Sequence, residues 1–186
     1  AHFSDLEIVI AGRNEKRARQ CAEAFQTSFP GSKVQAARLD IQDADELLGQ
    51  LAEADFVINA SGTPQLTEPF IQALLQTGKD ALDTQLATSA KHQILQKYAA
   101  QIKAAGICYI TDGGFHPGVP GALVRYAALK MEQLEKANIF SSMKIDWKRI
   151  NLSDETWEEF LGEFADYRSD YFLNGKWQRA SSTDYF

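Results

Sequence analysis

Leu6-Glu7-Ile8-Val9-Ile10-Ala11-Gly12-Arg13-Asn14 is the stretch on which the fold turns. Apart from Glu7 it is apolar up to Gly12, and it is rich in β-branched side chains, which suit a pleated surface. It is too short for a helix of ordinary length. A short, nearly continuous apolar run predicts a strand buried on both faces, as in a parallel sheet. Asn14, a residue type that caps helices, then precedes Ala18, Cys21, Ala22 and Phe25, which recur at i, i+3, i+4 and i+7. The unit is strand, tight turn, helix.

The same alternation continues outward. Residues 57–60 (VINA) and 107–110 (ICYI) read as further buried strands, with weaker candidates at 34–39 and 80–82. Between them lie helical stripes. One is Ala44, Leu47, Leu48 and Leu51. The next is Phe70, Ile71, Leu74 and Leu75, opened by Thr67-Glu68-Pro69 and closed by Gly78. A third is Ile94, Leu95, Tyr98, Ala99 and Ile102, closed by Gly106. A further helix is predicted from about residue 120 to 136. Strand and helix alternate from residue 6 to about 110, which predicts βαβ units and a doubly wound parallel sheet, an α/β fold of the Rossmann-like kind.

Past residue 137 the texture changes. Met143, Ile145 and Trp147 alternate with Lys144, Asp146 and Lys148, the pattern of a sheet wet on one face. A helix capped by Ser153 carries Trp157, Phe160, Leu161 and Phe164. Residues 171–179 contain Asn174-Gly175, a strong hairpin signal. We therefore expect a dinucleotide-binding domain over 1–137 and the beginning of an α+β domain over 138–186.

Of the 186 residues, 45% are hydrophobic and 24% charged, and the net charge is −6. That balance argues against a nucleic-acid binder, which presents a basic face. No apolar run is long enough to span a bilayer, and no signal peptide is visible. Cys21 and Cys108 are far apart in apolar patterns, so both are expected to be buried and reduced, consistent with a cytoplasmic compartment. No metal-ligand spacing, P-loop or nucleophile elbow is present.

Chemistry is expected at the strand ends, where doubly wound folds hold ligands. Gly12-Arg13-Asn14 follows a buried strand. An arginine there suits a ribose 2′-phosphate, although a solvated Arg13 beside a capping Asn14 fits the pattern too. Asp40-Ile41 follows the next strand, where Asp40 either accepts from an adenine amino group or forms a turn. In Asn59-Ala60-Ser61-Gly62, the small residues let the backbone approach a ligand, and Asn59 either touches it or braces the loop. Asp83 is a substrate contact or a structural cap. Gly114-Phe115-His116-Pro117-Gly118 lies in a loop of four glycines and two prolines over 112–121. His116 either shuttles a proton or braces the loop.

The glycine fingerprint G-x-G-x-x-G is absent. The chain opens on Ala1-His2-Phe3, close to where the fingerprint's own helix would end, so the first strand is expected either to precede Ala1 in a longer protein or to be replaced by a strand from a partner chain or a rearranged segment of the same chain. The sheet is accordingly expected to lack its first, central strand, leaving the strands at Ile8 and Val57 unpaired with each other.

In order and spacing, residues 9–14, Leu39-Asp40, residues 57–62, Leu82-Asp83-Thr84 and residues 114–120 together resemble the saccharopine dehydrogenase-like oxidoreductases, over about residues 6–137. The resemblance implies a Rossmann domain with NADP or NAD. It implies a hydride transferred at a carbon–nitrogen bond of an amino-acid or polyamine-like small molecule. Asp83 and His116 would be catalytic, and the strand-end residues above, with Gly114, Phe115, Pro117 and Gly118, would bind cofactor. The second domain would serve substrate binding and homodimerisation. The family loop often reads Gly-x-Asp-Pro-Gly, and here the acid's position holds His116. The competing reading is a Rossmann-fold cofactor sensor or scaffold without turnover.

Overall fold

A computed structural model describes residues 6–86, 88–115, 118–140, 142, 144, 146, 150, 154, 157, 158, 161, 162 and 170–180. Strand and helix alternate as β1 (Glu7–Gly12), α1 (Glu15–Ser28), β2 (Lys33–Arg38), α2 (Ala44–Ala52), β3 (Phe56–Asn59), α3 (Thr67–Thr77), β4 (Asp80–Asp83), α4 (Ser89–Ala105), β5 (Tyr109–Ile110) and α5 (Val119–Ala128). The hairpin β6 (Asp170–Leu173) and β7 (Lys176–Arg179) follows. The helix starts obey local chemistry. Asn14 accepts a hydrogen bond from the backbone N–H of Arg17 at 3.0 Å, and Asp43 accepts from that of Glu46 at 3.1 Å, each satisfying a donor the helix leaves open.

β1 and β2 pair in parallel, Ile8 opposite Val34 and Gly12 opposite Arg38. β3, β4 and β5 form a second sheet in that order, with Ala81 opposite Tyr109 in the parallel β4–β5 pair. β1 and β3 belong to different sheets. β1-β2 is a pair by itself and β3-β4-β5 a separate three-stranded sheet, so among the described residues β1 pairs with β2 alone. The expectation that Ile8 and Val57 do not pair therefore holds.

The chain divides into two compact units: Ala1–Asn59 with Gln65–Leu82 and Ile94–Ile110, and Ala60–Pro64 with Asp83–Gln93 and Thr111–Phe186. The first has its core where α2, α3 and β4 meet. Leu47, Leu51, Phe70, Ala73, Leu74 and Ala81 are buried there, flanked by Leu39, Ile41, Leu48, Val57, Ile107 and Tyr109. The Phe70 and Tyr109 rings lie 6.2 Å apart, within the range of favourable tilted pairs. In the second unit the hairpin turns at Asn174-Gly175, both with positive φ (52° and 76°), as its tight turn demands.

Four sequence expectations need correction. The apolar strands are not buried on both faces: Val9 is 52% exposed and Ile58 64%. An apolar strand needs a cover on each face, and the described residues supply it on one. Cys21 and Cys108 are exposed. On α1 the buried stripe is the narrow Ala18–Ala22 row, and around β5 exposure alternates so that Ile107 and Tyr109 turn inward while Cys108 turns outward. β5 is two residues long rather than four. α5 ends at Ala128 rather than near 136, its last turn tightening into bonds from Lys130 N–H to the Ala127 carbonyl and from Met131 N–H to the Ala128 carbonyl. The alternating apolar positions Met143, Ile145 and Trp147 lie outside the described residues, as do Ser153, Phe160 and Phe164 of the expected late helix. Trp157 and Leu161 are helical and exposed. Among the described residues no helix is long and apolar enough to cross a membrane.

Candidate functional site

In the first unit the sheet brings two strand ends to the same level. Gly12 closes β1, and its carbonyl accepts from the N–H of Leu39 at 3.1 Å, extending the ladder just past Arg38. Arg13 follows with its side chain exposed, and Asn14 is committed to capping α1. Asp40 is braced twice. Its carboxylate accepts from the N–H of Gln42 at 3.0 Å, making a local turn, and its own N–H donates to Glu46 at 2.9 Å. Glu46 also pairs with Arg38 at 2.7 Å. Ile41 packs beside the core, and Asn59 is buried at the end of β3. Glu68, on the first turn of α3, accepts from Lys97 at 2.6 Å and from the Tyr98 hydroxyl at 2.8 Å. The Lys97 hydrogen bond, then that of Tyr98, holds the Glu68 carboxyl below its usual range.

The second unit holds a buried charge cluster at the end of β4. The Lys91 ammonium, 1% exposed, donates to Asp83 at 2.7 Å, to Asp112 at 3.1 Å and to the Gln85 carbonyl at 3.1 Å. Those three acceptors match the three protons an ammonium carries. Asp83, fully buried, accepts further from the backbone N–H groups of Gln85 at 3.1 Å and Asp112 at 3.3 Å. Gln85 donates through its side-chain amide to the Ser61 carbonyl at 2.9 Å, and Ser61 shares a hydrogen bond with Thr63 at 2.7 Å. Among the described residues the buried Gln85 side-chain oxygen has no hydrogen-bond partner, so an acceptor stands ready for an added donor.

The glycine-rich loop is tied to this cluster. Gly113 N–H donates to the Asp83 carbonyl at 2.8 Å, and Val119 N–H to the Gly114 carbonyl at 3.0 Å. Asp112 adopts φ 58°, rare for a residue with a side chain. Gly118, at φ 125°, lies so close to the Asp112 and Gly114 carbonyls that a Cβ would strike both. Phe115 is 64% exposed. His116 and Pro117 lie outside the described residues.

The structure thus gathers Ser61, Asp83, Gly114 and Gly118 in one unit, and Gly12, Arg13, Asn14, Asp40, Ile41 and Asn59 in the other. Ala60 is exposed and Gly62 half-buried, both in the second unit. Sequence reasoning missed Lys91, Gln85 and the part played by Asp112. A signal for Lys91 was present: with Ile94, Leu95 and Tyr98 it falls at i, i+3, i+4 and i+7, so a lysine occupies the first place of an apolar stripe.

The family model "Saccharopine dehydrogenase NADP binding domain" matches residues 1–110. Carboxynorspermidine synthase of Vibrio alginolyticus is 27% identical over 193 residues, covering 93% of this chain and 45% of that protein. The Vibrio cholerae protein of the same name is 29% identical over 137 residues, covering 66% and 33%. A lipid droplet localized protein of Caenorhabditis elegans is 28% identical over 116 residues, covering 61% and 27%. Among solved structures, apo saccharopine dehydrogenase (L-Glu forming) from Saccharomyces cerevisiae superposes with a TM-score of 0.56 at 22% identity, over 68% of this chain and 26% of that one. The chain spans less than half the length of each of these proteins.

Proposed function

Because this chain belongs to the saccharopine dehydrogenase NADP-binding domain family, we propose that it is part of an NADP-dependent oxidoreductase acting at a carbon–nitrogen bond of an amino-acid or polyamine-like substrate. The observation that carries the cofactor half of this reading is Arg13, exposed one residue beyond the last paired position of β1, with Asp40 braced at the neighbouring strand end. That donor set fits a phosphorylated adenosine. The guanidinium is permanently charged and forked, matched to a 2′-phosphate, and the Asp40 carboxylate suits an adenine amino group. Asn59 to Gly62 supply a low-profile backbone for close approach. The carboxynorspermidine synthases support the polyamine-like substrate class by name.

The nicotinamide, when bound, supplies or takes the hydride. The chain's own part on the substrate side is the loop of residues 114–118, where His116 moves a proton to or from the substrate nitrogen and Phe115 shields it from water. Asp83 belongs to this region as the buried anchor of the loop. The second domain, beginning near residue 138, completes the substrate pocket and pairs two copies.

The test is a titration of NADPH and NADH against the intact protein and an Arg13→Ala variant. One charge-assisted contact contributes roughly 1.5–3 kcal/mol, about ten- to a hundredfold in affinity. The variant should lose that factor for NADPH and hold its NADH affinity. Equal discrimination in both proteins refutes the assignment of Arg13. Absence of NADPH oxidation with every candidate imine, alongside intact binding, favours a cofactor sensor instead.

A further inference from the structure

The Lys91 cluster has a geometry that strand-end recognition of a dinucleotide does not require. Its ammonium is 1% exposed, yet it stands in the first turn of α4, where a lysine ordinarily reaches water. Its partners are contiguous with the loop. Asp83 ends β4 and fixes Gly113 through its carbonyl, and Asp112 opens the loop at φ 58°. Asp112 is the one partner side chain that reaches solvent, 31% exposed against 0% for Asp83. Two carboxylates converge on one cation, and Asp83 also draws in the Asp112 N–H at 3.3 Å. Removing the ammonium leaves two carboxylates, one of them buried, with no shared cation to hold the segment that carries Asp112 to Asp83.

We propose that Lys91 is a positioning residue: it pins Asp112, Gly113 and Gly114 against the end of β4, so that the start of the loop that faces substrate is held in place before substrate arrives. The function of the pin in turnover rests on the oxidoreductase reading above, but the pinning itself does not. Lys91 touches no reacting atom; it acts through Asp112 and Asp83. Preorganisation of this kind is felt in turnover, where a displacement of about 1 Å costs on the order of a hundredfold. It is felt little in the affinity for a cofactor whose adenosine half is bound elsewhere.

The experiment compares the intact wild-type protein with Lys91→Met and Lys91→Cys, the latter before and after alkylation with 2-bromoethylamine, which rebuilds an ammonium on a side chain of nearly lysine length. The exposed Cys21 and Cys108, and every further cysteine of the intact protein, are first replaced by serine in all proteins so that alkylation reports on position 91. The alkylation is carried out in denaturant, followed by refolding, because the site is closed. The first readout is amide hydrogen exchange. Lys91→Met should raise exchange at Gly113 and Val119 at least tenfold and leave the β1–β2 segment 7–38 unchanged, and alkylated Lys91→Cys should restore protection. The second is steady-state kinetics with NADPH and substrate: kcat falls about a hundredfold, the dissociation constant for NADPH stays within threefold, and aminoethylation recovers at least a tenth of the lost rate. Exchange at Gly113 and Val119 unchanged in Lys91→Met overturns the proposal. So does equal loss of NADPH affinity and kcat. If Lys91→Met does not fold, Lys91→Met combined with Asp83→Asn removes the ammonium and the buried carboxylate together and leaves Asp112 without a facing charge. A folded double variant with Gly113 still protected then overturns the pin, and one with Gly113 exposed supports it. If the wild type turns over no substrate, the oxidoreductase reading fails, and the exchange data still decide the pin.

Discussion

Replacing Gly118 with alanine should unfasten the loop that follows β5. Gly118 sits at φ 125° and ψ −78°, a region that residues with a Cβ rarely enter, and its added carbon would meet the Asp112 and Gly114 carbonyl oxygens. Both obstacles are backbone, so neither can rotate aside as a side chain would. Relief requires Gly118 to move. That movement strains the Val119 N–H bond to the Gly114 carbonyl (3.0 Å) and the Ala122 N–H bond to the Gly118 carbonyl (3.2 Å). A sparsely populated backbone conformation costs about 1–3 kcal/mol and each lost hydrogen bond about 0.5–1.5, so the local penalty is on the order of 2–6 kcal/mol. At about 1.4 kcal/mol per factor of ten, the lower end corresponds to roughly a thirtyfold loss of amide protection at Val119 and Ala122. Gly121→Ala is the internal control. It lies in α5 with open space where its Cβ would sit, so alanine there gains helix propensity of roughly 0.8–1 kcal/mol and leaves the loop alone. The assay is native-state hydrogen exchange on the intact protein, read by mass spectrometry or nuclear magnetic resonance. Val119 protection in Gly118→Ala within threefold of wild type would show that the loop tolerates the carbon, and the steric argument would fail.

Two further perturbations probe the first unit. Leu74→Ala removes a side chain that is 1% exposed at the centre of the α2–α3–β4 core and should destabilise by about 2–5 kcal/mol; a loss below 1 kcal/mol in denaturant unfolding contradicts the packing described. The surface trio Glu68, Lys97 and Tyr98 sets two ends of a stability–pH profile. The hydrogen bond from Lys97, then that from Tyr98, depresses the folded-state pKa of Glu68, so its contribution is present above pH 4.5 and lost as pH falls through the folded value. Glu68 raises the folded-state pKa of Lys97, so that contribution is present below pH 10.5 and lost as pH rises through the folded value. Glu68→Gln should flatten the acid slope and the alkaline slope together, and a variant profile parallel to wild type at both ends contradicts the pairing.

The strand–helix alternation was legible because its signals are local. Asn14 and Asp43 stand where caps must stand, Gly78 stops α3, and Asn174-Gly175 turns the hairpin in the register its φ values require. Such residues act on their own backbone within a few positions, and a sequence displays them directly. The strand ends at Gly12 and Asn59 were legible for the same reason: each closes an apolar run. Lys91 was not, although it shares a helical stripe with Tyr98. Its burial depends on Asp83 and Asp112, residues 8 and 21 positions away, and a lysine at a helix start has a solvated alternative that periodicity alone does not remove. The sequence shows that an acid lies at each strand end; only the fold shows that one cation answers both.

The cysteines and the exposed strand residues teach the converse lesson. Apolar periodicity measures the capacity of a face to be buried, and burial needs a second surface. Val9 and Ile58 have that capacity, as their β-branched side chains and neighbours announce, and each stands half or more exposed. Within the described residues β1 pairs with β2 alone and β3 with β4 alone. Val9 and Ile58 both lie on strands at the edge of their sheets, as does Ile110 of β5 at 46% exposed, while β4, enclosed between β3 and β5, buries Ala81 completely. A strand's sequence and its place in the sheet together determine its burial: Val9, Ile58 and Ile110 stand exposed on strands with one neighbour among the described residues, and the buried Ala81 lies on the strand with two.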